Sequence, residues 1–425
     1  MQDDHPTLET LAKWLAGELA HEQVVRELAP HFLGSCPVCR AMREEIDELL
    51  VESGHWDEAV AVVETREAPE LIGLLGEGPH AERMRRAEKL EELHTWGVCQ
   101  LLLKKVGQQV FSDPVQAVET AHLAVRLAGH LGDTYHPDWV LELRARAFAY
   151  LGNARRVLGE LKAADDAFLL ADECLAQSGA DNPRIEAEVL SLKGSLRLDQ
   201  RRLEEAQDLV ERALELFRKS DHPVGVAKGL LQKSKILNQR GDVAESIAIL
   251  QAASSEIDPS REPVLFARAR QNLLFSLTLA GRYEEASRLL EDFKAQPSIL
   301  AEPLDALRLR WTEANIAQGL GRLAEAEQGY RAVQREFLEL QNGFDAALVS
   351  LDLATLLWEQ GRTGELKQLA VETHAVFESR EVHRDALVAL LLFQQACTEE
   401  RITGEMIRQI AAQLRRERAG NGALS

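Results

Sequence analysis

Two cysteines separated by two residues, with a histidine just upstream, are the densest metal-binding chemistry in this sequence. The segment His31-Phe-Leu-Gly-Ser-Cys36-Pro-Val-Cys39 has the form His-x4-Cys-x2-Cys. Two thiolates at that gap can hold one Zn²⁺ in a tight turn, and a nearby imidazole can be a third ligand. His5 and His21 are the candidates for a fourth. Gly34-Ser35 and Pro37 suit a turn feeding a helix that begins near Cys39. The competing reading is a metal-free helical hairpin. A redox dithiol has less support, because no βαβ pattern surrounds the pair. His21-Glu22 lacks a second histidine at the spacing of a zinc-protease helix.

No other catalytic constellation stands out. The chain has no Gly-rich phosphate loop followed by Lys, no Gly-x-Ser-x-Gly and no kinase set. His94, His122 and His374 are scattered through helical segments and read as surface or satisfied core residues. Carboxylates are so numerous that pairing any two for acid–base work would be arbitrary. The net charge is −20 over 425 residues, the wrong sign for a protein that coats nucleic acid by bulk charge. The basic run Arg415-Arg416-Glu-Arg418 is short and reads as a solvated helix end. The longest apolar run, Ala386–Phe393, is far below the roughly 20 residues needed to span a bilayer. The acidic start, MQDDHPTLETL, lacks the basic and apolar regions of a secretory signal. With five cysteines, an odd number, a reducing cytoplasm is the expected location.

The elements that must carry any site come from a repeat. A short pattern recurs: Gly, a polar residue, a bulky residue, any residue, Glu, then a small or apolar residue. It appears as GHWDEA from Gly54, GELKAA from Gly159, RRLEEA from Arg201, GDVAES from Gly241, GRYEEA from Gly281, GRLAEA from Gly321 and GRTGEL from Gly361, with a partial copy near Ile402. Its last position falls at Ala164, Ala206, Ser246, Ala286, Ala326, Leu366 and Met406, a first step of 42 residues and then five of 40. Such regularity signals a solenoid. Each unit reads as two helices. Gly ends the first, where a left-handed residue can satisfy the last carbonyls. Apolar residues at helical spacing, such as Tyr283, Ala286, Leu290 and Phe293, define the second. Proline-containing breakers separate the units, as at Asp221–Pro223 and Pro259–Pro263. Low aromatic content and abundant Ala, Leu, Glu and Arg agree with helix throughout.

The units resemble the tetratricopeptide repeat (TPR). The match is clearest in Leu151-Gly152, Gly159 and Leu161, then Ala164, Phe168 and Ala171. The family period is about 34 residues and HEAT-type repeats have one closer to this chain's, but the Gly-x-Tyr-x-x-Ala core of Gly281–Ala286 favours the tetratricopeptide frame. The resemblance covers about Asp138 to the C-terminus. Two weaker units precede it, around Asp113-Pro114 with Ala117 and around Gly54, Trp56 and Ala59. It implies an all-α fold, a right-handed TPR-like α-solenoid of helix pairs. The expected organisation is a small helical head over 1–50, degenerate pairs over 51–137 and the main solenoid over 138–425. On the family frame the inward positions are Arg146, Asn153, Arg156, Lys228, Lys235, Asn238, Arg268, Gln271, Arg308, Trp311, Asn315 and Gln318. Arg suits carboxylates and Asn suits peptide backbone, so the groove is expected to take an acidic or C-terminal peptide segment. The alternative is an ordinary solvated face with Arg paired to local Glu.

The head, over about residues 5–50, resembles the zinc-binding anti-sigma-factor domain at the N-termini of bacterial regulators. That family's order of upstream ligand, Gly-Glu-Leu helix end and His-Cys-Cys cluster maps onto His5, Gly17-Glu18-Leu19, His31, Cys36 and Cys39. The His-to-Cys gap here is four residues where the family has three, which puts His31 in question as a ligand. The resemblance implies a non-enzymatic bacterial regulator that binds a protein or peptide, a sigma-like transcription factor among the candidates, with bound Zn²⁺. A scaffold or peptide-sensing subunit without metal-dependent regulation is the other reading.

Overall fold

A computed structural model of the chain describes residues 64, 67–131, 135–179, 182–294, 303–340, 342–378, 393, 397 and 402–420. Among these residues there is no strand, and no helix is long and apolar enough to cross a membrane. The chain divides into two compact units, Met1–Asp181 and Asn182–Ser425.

The first unit contains α1 (His80–Lys89), α2 (Trp96–Gln109), α3 (Pro114–Ala128), α4 (Pro137–Val157) and α5 (Leu161–Gln177). Local chemistry starts them. Asp113 accepts from the Gln116 amide, with Pro114 in the first turn of α3, where a missing N–H costs nothing. Thr95 caps α2 by accepting from Val98 N. Consecutive helices pack on one another from α2 to α5, and α4 also touches α2. The Gly152 position is explained by proximity: a Cβ there would sit 2.8 Å from the Phe168 ring. Buried Glu64 accepts from Gly97 N at 2.8 Å and from the Tyr135 hydroxyl at 2.5 Å.

The described residues of the second unit form a run of five pairs. They are α6 (Pro183–Asp199) with α7 (Leu203–Lys219), α8 (Pro223–Arg240) with α9 (Val243–Glu256), α10 (Pro263–Leu279) with α11 (Tyr283–Lys294), α12 (Pro303–Gly319) with α13 (Leu323–Glu339), and α14 (Gly343–Glu359) with α15 (Thr363–Glu378); α16 (Gly404–Gly420) follows. Proline opens four of the five first helices, where its fixed φ is already helical.

The glycine, the Arg–Glu pair and the closing residue of the recurring pattern each have a physical account. Gly159, Gly241, Gly281, Gly321 and Gly361 all have positive φ, from 68° to 93°. The next residue then donates its N–H five residues back, as Arg282 N does to Leu277 O at 2.9 Å, closing the helix end. Arg after the glycine and Glu three residues later form an ion pair at the start of the second helix, as in Arg282–Glu285 and Arg362–Glu365. The small or apolar residue that closes the pattern is core: Ala164, Ala206, Ser246, Ala286 and Ala326 are fully buried. Ser246 is accommodated because its hydroxyl donates to Ser234 O at 3.2 Å. Met406 is half-buried in α16.

The second helices α7, α9, α11 and α13 each pack between their own first helix and the next one, and α15 packs on α14. First helices of neighbouring pairs also touch, from α6 through α14, whereas second helices make no comparable contact with each other. A stack in which one layer closes up and the other splays is curved, with the closed layer on the concave side. The first helices therefore form the inner layer of this unit. The last helix departs from a simple open array. The α16 face formed by Ile407, Ala411 and Leu414 is buried in the core that includes α14, and α16 also reaches α6. The first and fifth inner helices are thus bridged by the last. Gly404 permits the docking, since a Cβ there would lie 2.5 Å from the Trp358 ring.

Candidate partner-binding face

Two consecutive inner helices, α8 and α10, contain no acidic residue at all, although the chain carries 69 of them. Their cations divide by direction. Lys233 reaches Glu211 of α7 at 2.9 Å. Arg240 pairs with Asp242 at 3.2 Å, and Arg270 lies 3.8 Å from Asp292 of α11. All three are neutralised on the side of the second helices. Lys228 and Arg268 are exposed and make no salt bridge among the described residues. They occupy the same register, thirteen residues before Gly241 and Gly281 respectively. Arg308 continues that register on α12, where it lies 3.6 Å from Asp345, a fully buried carboxylate of α14. The result is a basic row crossing three adjacent inner helices.

The other inward positions do different work. Trp311 is 8% exposed; its Nε1 donates to Asp352 of α14 at 2.9 Å, and its ring meets Phe337 edge-on at 6.1 Å. Asn315 Oδ1 and Gln318 Oε1 lie 3.0 and 2.7 Å from the hydroxyl of Tyr330 on α13, whose side chain is fully buried. Gln318 Nε2 also donates to Glu359 at 3.2 Å. Asn238 Nδ2 donates to Ser276 Oγ of α10 at 2.9 Å. Trp311, Gln318 and Asn238 thus fasten one pair to its neighbour, while the Tyr330 hydroxyl ties Asn315 and Gln318 to the second helix of their own pair. Lys235 is half-buried on α8, and Gln271 half-buried on α10 beside Arg268. In the first unit, Arg146 donates to Gln100 of α2 at 2.8 Å. Arg156 donates to Asn153 at 3.0 Å, both only 8% exposed. The expected metal ligands His5, His31, Cys36 and Cys39, and the alternative His21, lie outside the described residues. Among the described residues no cluster of three His, Cys, Asp or Glu could hold a metal ion.

The residue types hide two features of this layer. Gln232 donates its amide to Ser191 O at 2.8 Å and to Ser195 Oγ at 2.9 Å, tying α8 to α6. On α10, Val264, Phe275 and Leu279 are 61%, 52% and 51% exposed. An aromatic in an apolar helix is expected in the core. The signal that places Phe275 otherwise is register, since it stands six residues before its turn glycine, as Lys235 and Asn315 do.

Comparison with known proteins agrees on architecture. No family model matches the sequence, and no curated protein matches it. Among solved structures, a Rap protein complexed with competence and sporulation factor superposes with a TM-score of 0.53 at 13% identity, covering 76% of this chain and 94% of that one. The apo form of RapI gives 0.43 at 13% identity, over 62% and 99%. Aspartyl phosphate phosphatase F from Bacillus subtilis gives 0.46 at 12%, over 85% and 95%. The first likeness supports an all-α helical-repeat fold of the tetratricopeptide type.

Proposed function

We propose that this chain is a regulatory, non-enzymatic interaction module of the cytoplasm, and that the inner layer of its second unit takes an acidic segment of a protein or peptide partner. The observation that carries the reading is the acid-free surface of α8 and α10, with Lys228 and Arg268 exposed at matching positions in a chain of net charge −20. Such a patch attracts a carboxylate-bearing segment while the rest of the surface repels it. Arg adds bidentate hydrogen bonding to the attraction. The Rap protein that shares the fold is itself complexed with competence and sporulation factor, in keeping with a binding role for this architecture.

The test is a titration of the intact chain against a labelled Glu-rich peptide and its Gln-substituted counterpart, followed by fluorescence anisotropy. Only the Glu peptide should bind, and binding should weaken with salt. Lys228→Glu and Arg268→Glu should each weaken it by about 5- to 10-fold, consistent with one exposed ion pair lost and a repulsion added. Equal binding of the two peptides, or charge reversals without effect, would remove the basis of the proposal.

A further inference from the structure

Along α10 four exposed residues and the half-buried Gln271 form one stripe. Val264, Arg268, Gln271, Phe275 and Leu279 follow at steps of four, three, four and four residues, which keeps them within a narrow sector of a helix turning 100° per residue. The buried positions Leu265, Phe266, Ala269, Leu273 and Leu277 point the other way. The stripe therefore faces away from the second helices, on the open side of the inner layer. It joins the basic row at Arg268 and carries large apolar side chains beyond it. Three half-exposed aliphatic or aromatic groups on one helix face are an unusual outlay for a surface that only meets water.

We infer that the ligand of this face combines an acidic side chain with a large apolar side chain held about 10 Å apart on one side, the acid against Lys228 and Arg268 and the apolar group against Phe275 and Leu279. This rests on the reading of the basic row given above. The distance follows from the helix: Phe275 is seven residues beyond Arg268, or about 10 Å at 1.5 Å per residue. In a polyproline-type extended segment, that separation joins residues i and i+3, which share a face every three residues. In a helical segment it joins i and i+7. The occupant is thus an amphipathic acidic peptide segment. A purely charged one would leave the apolar half of the stripe in water, and an apolar one would leave Lys228 and Arg268 unneutralised.

A peptide series with one Glu and a single Leu placed from one to seven positions downstream tests this by anisotropy, with the Leu-free peptide as reference. A maximum at i+3 or i+7, about tenfold tighter than the reference, is expected from burying one leucine against partly exposed apolar surface. Phe275→Ser should abolish that gain while leaving the Leu-free acidic peptide unaffected. Because Phe275 is half-exposed, the variant should keep the parent melting temperature, which is checked alongside. Affinity independent of the Leu position, or a gain that survives in Phe275→Ser, overturns the inference while leaving the acidic-segment reading intact. No binding of any acidic peptide overturns both.

Discussion

Replacing Tyr330 by Phe separates the residues that fasten the repeat from those that meet a ligand. The Tyr330 ring is fully buried, and its hydroxyl is the hydrogen-bond partner of Asn315 and Gln318. Both amides stand at inward positions of the repeat frame. Removing the hydroxyl leaves the ring's packing in place, so no cavity term enters. Gln318 is partly exposed and can turn to water. Asn315 Oδ1, half-buried against α13, loses its donor. A net hydrogen bond is worth about 1 kcal/mol, and an orphaned acceptor adds to that. The expected loss is about 1.5 kcal/mol. For a unit of this size that lowers the melting temperature by roughly 3–6 °C. A cycle with Asn315→Ala should show a coupling of about 0.5–1.5 kcal/mol between the two sites, since they share a bond. Affinity for the acidic peptide should stay within about twofold, because no ligand contact is removed. Thermal melts and anisotropy on the same four proteins decide the matter. Unchanged stability with additive effects would refute the fastening role. A loss of affinity without a loss of stability would return Asn315 and Gln318 to the ligand face.

Arg201 takes the place of the turn glycine in the α6–α7 pair, with φ of 64°. Arg201→Gly should relieve about 1–2 kcal/mol of left-handed strain and give back much of it through glycine's flexibility when unfolded. A small net rise in melting temperature is expected, and a fall would show that the bond from Arg201 to Gln239 outweighs the strain. The reverse change, Gly241→Ala at φ of 93°, should cost about 1 kcal/mol; a neutral melt would refute it. Two carboxylates should contribute oppositely as the pH falls. Arg362 and Arg331 hold the Glu327 carboxyl below its ordinary value of 4.5, so its stabilisation is present above pH 4.5 and lost as pH falls through the lower folded value. Burial pushes Glu64 above 4.5, so its contribution is full below 4.5 and lost as pH rises through the folded value. Hydrogen exchange, corrected for intrinsic rates, should therefore show the Gly97 amide better protected at mildly acidic than at alkaline pH, and the reverse trend would refute the assignment. For the head, metal analysis of the reduced protein should find about one zinc per chain, lost in Cys36→Ser with Cys39→Ser; zinc-free protein, or zinc retained in the double variant, refutes the ligand set.

The period and the turns were readable because each depends on one residue type in one backbone state. A left-handed helix end admits glycine at little cost, and a closely packed second helix admits a small side chain. Both requirements therefore recur visibly every forty residues. The inner face was harder to read, because one helix surface serves two purposes at neighbouring positions. Gln232 and Trp311 use their polar groups on an adjacent inner helix; Lys228 and Arg268 do not. Nothing in the residue types separates these roles, since a tryptophan and a lysine both suit a binding groove. Type misleads most where it is apolar. Trp311 is almost wholly buried against Phe337, while Phe275, with the same claim to the core, is half in water. The contact of α16 with α6 joins helices about two hundred residues apart in sequence, beyond the reach of any local pattern. What decides the function of this layer is which side chains the neighbouring helices leave unused, and that depends on how the pairs stack. The unused set on α8 and α10 is basic at Lys228 and Arg268 and apolar at Val264, Phe275 and Leu279, so a partner selected by charge alone would leave its apolar part uncovered.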